Sequence, residues 1–140
     1  MNIAPRTAIA FVAAIAASAC SFELPELKSA SVESYSRGGL IQSWALNESQ
    51  RNALSSWFKQ HQSGWSASYV SYAPAILVHV SSAHEINSVV NILPVSKVVV
   101  FNNSGQYEQK FDGSEFQKLL DIVTPVAANQ SFQRTAFGGR

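Results

Sequence analysis

The chain has one cysteine, Cys20, and three histidines, His61, His79 and His84, that are scattered rather than clustered. Neither an HxH nor an HExxH spacing occurs, so no convergent metal-ligand set is expected. There is no GxSxG, and no serine has a histidine and an acidic partner in evident register. No catalytic residue is therefore assigned. The glycine pairs Gly38-Gly39 and Gly138-Gly139 are isolated and build no phosphate loop, so no cofactor is expected. Charge is sparse, at 14% of residues, and balanced, with ten Lys and Arg against nine Asp and Glu. That balance argues against nucleic acid as a partner.

What is present is apolar surface. Hydrophobic residues make up 46% of the chain, enough for a core and too much for a disordered polymer. The clearest element is Lys97–Phe111. Val98, Val99, Val100 and Phe101 form an unbroken apolar run, which predicts a strand covered on both faces. Asn102-Asn103-Ser104-Gly105 supplies a turn. Tyr107, Gln109 and Phe111 then alternate with Glu108 and Lys110, as in a half-buried strand.

Two stretches have helical period. Asn47 followed by Gln50 is a capping-box pattern, and Ala53, Leu54, Trp57, Phe58 and His61 recur on one face, predicting a helix over 48–62. Ser114 with Gln117 repeats the cap pattern, and Phe116, Leu119, Leu120 and Val123 predict a second helix over 115–123. Strands are expected at 39–46, 66–72, 75–81 and 86–93, with Pro74 as a break. The order β-α-β-β-β-β-α predicts an α+β fold. It is a small antiparallel sheet of four to five strands with two helices on one face, a two-layer sandwich. Residues 38–124 form that domain, 20–37 read as a Ser-rich tether, and 125–140 as a flexible tail.

The first twenty residues are of another kind. Arg6 lies in a short head, and Thr7 to Ala17 is Ala-rich and apolar. The run falls short of the roughly 20 residues that a membrane-spanning helix needs and fits the apolar region of a signal peptide over 1–19. Ala17-Ser18-Ala19-Cys20 follows. This stretch resembles the lipobox of bacterial lipoproteins: Ser18, Ala19 and Cys20 match, while Ala17 stands where the family usually has Leu. The resemblance implies that Cys20 is acylated, palmitate included, and becomes the first mature residue. It also implies a lipid anchor to the cell envelope. Ser21, in place of an Asp, implies the outer membrane, with the domain facing the periplasm. The rival reading is ordinary cleavage after Ala19 and a soluble periplasmic protein. Loss of Arg6 leaves the mature chain with nine charges of each sign.

The aromatics crowd into 44–72. Trp65, Tyr69 and Tyr72 lie outside the expected helix and, with His79 on a strand, are the candidate binding residues. His84-Glu85 is the one adjacent acid–base pair, but neighbours in an extended turn point apart. The expected function is a non-enzymatic binding, inhibitor or accessory module for another envelope protein. The alternatives are a small enzyme acting on peptidoglycan or lipid, and a small-ligand binder.

Overall fold

The computed structural model describes residues 21–22, 24, 26–82 and 87–125. The signal-peptide and lipobox readings, the tail from Val126 and the His84-Glu85 pair lie outside the described residues.

Seven strands and two helices follow in the order β1 (Leu27–Ser36), β2 (Gly39–Ala45), α1 (Glu48–Gln60), β3 (Ser66–Ala67), β4 (Ile76–Ser82), β5 (Asn87–Leu93), β6 (Lys97–Asn102), β7 (Gly105–Lys110) and α2 (Gly113–Val123). The strands form one sheet in the spatial order β2-β1-β4-β5-β6-β7-β3, and every pairing is antiparallel. The expectation of four to five strands is thus corrected to seven. The main omission is β1, which reads as a tether but lies inside the sheet between β2 and β4.

The reason is a bulge. The register of β1 against β4 slips between Leu27 and Ser29. Leu27, Ala30 and Val32 therefore all point into the core, although their spacing is three and then two. A slip of one residue exchanges the faces of a strand, so the alternation that marks a strand in sequence is broken here. Lys28, Ser29 and Ser31 fill the solvent positions between.

One sheet face carries both helices. Val32, Val78, Val90, Val98 and Val100 meet Leu54, Trp57 and Phe58 of α1 and Phe116, Leu119, Leu120 and Val123 of α2 in a single buried cluster. Phe22, Trp65 and Phe111 close the end of that core with tilted and edge-on ring contacts. α1 starts as expected: Asn47 caps it, and Gln50 completes the reciprocal capping box. α2 is capped by Asp112, whose carboxylate accepts from Ser114 N and Glu115 N, and not by Ser114. The last carbonyls of α2 are also satisfied. Gln50 Nε2 donates to Ile122 O, and Trp44 Nε1 donates to Val123 O.

The chain winds around the sheet. α1 leads from β2 at one edge to β3 at the other, over the core face. Residues 68–75 then return across β7, β6 and β5 to β4 on the opposite face. This returning segment is a strap, where the sequence predicts a strand over 66–72. Only Ser66 and Ala67 pair with β7 before the chain leaves the ladder. The strap explains why Val99 (0% exposed) and Asn91 (2%) are buried although both point away from the helices.

Candidate binding face

Register fixes which side chains share the strap face. Glu33, Leu77, Asn91, Val99 and Glu108 stand in one row across β1, β4, β5, β6 and β7. Four strand spacings of about 4.8 Å separate Glu33 from Glu108, roughly 19 Å. The face is therefore two places: a half covered by the strap and an open half bordering β2.

Glu108 organises the covered half. Its Oε2 accepts from Ser68 Oγ and from Tyr72 Oη, each at 2.6 Å. Its Oε1 accepts from Lys97 Nζ at 3.1 Å. Lys97 also donates to Tyr72 Oη and sits 5.1 Å from the centre of that ring. The Ser68 and Tyr72 hydroxyls, with the Lys97 ammonium, hold the Glu108 carboxyl down at about 2. Tyr72 and Glu108 push the Lys97 ammonium upward in return. Three donors on one carboxylate are charge-assisted bonds, stronger than neutral ones. Further along, Gln106 Nε2 donates to Val70 O, and the Asn91 amide bonds both Ala73 O and Ala75 N. The strap is thus fastened at both ends and in the middle.

What it presents outward is apolar. Tyr69 is 96% exposed and Val70 57%. An aromatic side chain projecting fully into water from a backbone held on both sides is what an interface anchor requires: large area, few torsions to freeze, and a fixed position.

The open half carries a second polar group. Glu33 Oε2 accepts from Tyr35 Oη at 2.8 Å and lies 3.1 Å from His79 Nε2. Those two contacts lower the Glu33 carboxyl below the usual carboxylate range, and Glu33 raises the Tyr35 phenol. Ser31 stands opposite His79 in register. Serine, histidine and glutamate are therefore neighbours here, but on a regular ladder. Peptide N–H groups of a ladder lie in the plane of the sheet and do not point out of its face. The arrangement offers no pair of donors for an oxyanion above Ser31 among the described residues.

The sequence candidates separate cleanly. Tyr69 and Tyr72 come together on the strap, one projecting outward and the other holding the segment down. His79 belongs to the open half. Trp65 is 3% exposed and lies in the core against Phe22, Phe58 and Phe111, with Nε1 bonded to His61 O. Cys20 lies outside the described residues. Sequence reasoning did not single out Glu33, Tyr35, Asn91, Lys97 or Glu108 as site residues. Asn91 carried a signal: it is the one polar residue in the run Val89–Leu93, where a buried amide demands partners.

Compared with family models, curated proteins and solved structures, the chain matches none. The reading of its function therefore rests on its own residues.

Proposed function

We propose that this chain is a lipid-anchored protein of a bacterial envelope that binds another envelope protein through the strap, without chemistry of its own. The observation that carries the proposal is the near-complete exposure of Tyr69 on a segment fixed from beneath by Glu108, Lys97 and Asn91. A backbone held in place in advance leaves only the side-chain torsions to be frozen when a partner covers Tyr69. The lipobox-like Ala17-Ser18-Ala19-Cys20 supports the anchor, and the near-neutral charge supports a partner recognised by shape and apolar contact. Three acyl chains at Cys20 would hold the domain at a membrane without help from its surface.

The test places a photo-crosslinking amino acid at Tyr69 in the full chain in expressing cells, with Lys59 on the exposed side of α1 as control. Expected is one discrete adduct from position 69 and none from position 59. No adduct at 69, or the same adduct from both positions, would remove the strap as the binding surface.

A further inference from the structure

The two edges of the sheet are unequal. β3 has two residues; β2 has seven, Gly39-Leu-Ile-Gln-Ser-Trp-Ala45, and pairs with β1 alone. An unpaired strand edge is a template for another chain, and proteins commonly blunt it with charge, proline or brevity. β2 has no charged residue and no proline, and Leu40 and Ile41 are 56% and 62% exposed. The protection present is a bulge against β1 at the Gly39 end, between the Ser34–Gln42 and Tyr35–Leu40 pairs. From Gln42 to Ala45 the strand is regular.

The ends of β2 carry opposite charge. Arg37 precedes it and Glu48 follows it, both exposed, and neither is in an ion pair among the described residues. We infer that β2 pairs antiparallel with β2 of a second copy, forming a two-fold dimer with one continuous sheet. A two-fold axis perpendicular to the sheet keeps each face on its own side only if a residue meets its own counterpart, here Gln42 or Ser43. Either choice sets Arg37 of one copy beside Glu48 of the other, twice over. Parallel pairing would set like charges together instead. The occupant is a second copy because an isologous contact needs one self-complementary strand, and this one is uncharged along its length and complementary at its ends. The short β3 edge makes the assembly close at two rather than extend.

A strand edge buries less than the roughly 800 Å² per partner of a standard interface, so a weak dimer, with Kd of about 10 μM to 1 mM, is expected. The test is sedimentation of the full chain as isolated from the expressing cell, with thiols reduced, from about 1 μM to about 1 mM. Expected is a concentration-dependent dimer. Gln42→Lys, which sets like charges across the axis, should weaken it at least tenfold. Arg37→Glu should weaken it severalfold, and adding Glu48→Arg should restore it. Monomer throughout the range would overturn the inference. So would a dimer indifferent to Gln42→Lys and to the charge exchange, since it would use another surface. A cysteine at the residue on the axis, Gln42→Cys or Ser43→Cys, gives an independent reading. Under oxidation it should form a disulfide-linked dimer with Cys20 replaced by Ser, while Lys59→Cys should not; equal linkage from both would also count against β2.

Discussion

Tyr72 reaches across 36 residues of sequence to donate its phenolic hydrogen to Glu108 at 2.6 Å, and this bond ties the strap to the sheet. Because Ser68 and Lys97 converge on the same carboxylate, Glu108→Gln should remove more than one bond. The amide keeps one acceptor oxygen, loses the charge, and brings a donor toward Lys97. A loss of about 1–3 kcal/mol in unfolding free energy is expected. Urea denaturation measures it, and hydrogen exchange should quicken within 68–75 while the α1 amides stay protected.

The same carboxylate sets an acid limit on stability. In the unfolded chain a glutamate takes up its proton near pH 4.3; in the folded protein Glu108 does so only at about 2. Between those values the unfolded state binds the extra proton, so lowering the pH favours unfolding. The contribution from Glu108 is fully present above about pH 5 and is lost progressively as the pH falls toward 2. Melting temperatures from pH 6 down to pH 2 should fall more steeply for the wild type than for Glu108→Gln. Parallel curves would show that the carboxylate is not coupled to folding.

Asn91 anchors the other end of the strap. It is buried, and both ends of its amide bond strap backbone, at Ala73 O and Ala75 N. Asn91→Ala takes away the partner of the Ala73 carbonyl and of the Ala75 N–H and empties a buried position under the strap. About 1–3 kcal/mol of destabilisation is expected, with exchange at Ala75 rising. Together with Glu108→Gln this change also bears on function. If a fixed strap is what positions Tyr69, either variant should reduce crosslinking from position 69 at temperatures where the fold remains intact.

Gly64 joins the end of α1 to Trp65. It has φ of +90°, and an added Cβ would lie 2.8 Å from Gln109 Nε2. The amide of Gln109 is the end of a flexible side chain and can move aside; the backbone cannot. Gly64→Ala should therefore cost about 1–3 kcal/mol, mostly as strain in the left-handed region. Thermal unfolding checks this, and Gly113→Ala, which meets open space, is the control.

How far the sequence revealed this structure depended on whether a pattern was local. α1 declared itself through Asn47, Gln50 and a regular apolar stripe, and the β6–β7 hairpin through Val98–Val100 and Gly105. All of these are read within a few residues of chain. β1 was hidden because a bulge broke its period and serines are scattered along it. The strap was hidden because it has no period: its partners, Glu108, Lys97 and Asn91, lie far along the chain, and their convergence is a product of topology. Trp65 shows the reverse. Lying outside any predicted helix made it a surface candidate, but ring contacts from Phe22, Phe58 and Phe111 bury it. Tyr69 and Trp65 are both large aromatics four residues apart. Only the path of the backbone between them determines which is core and which faces solvent.

The anchor can be tested apart from the fold. If Cys20 carries acyl chains, each buried methylene adds about 0.8 kcal/mol of membrane affinity. The protein charge is close to balanced, so such an anchor would supply nearly all of that affinity. Cys20→Ser removes the sulfur that would be acylated. The variant should move from the membrane fraction to the soluble or unprocessed pool and should lose radiolabelled palmitate, while a Tyr69→Ala variant retains both. Soluble Cys20→Ser protein should keep the wild-type unfolding transition, because the sheet and both helices are built from residues 27–123. Unchanged fractionation and unchanged palmitate in Cys20→Ser would sink the lipid anchor while leaving the strap surface to be judged by its own crosslinks.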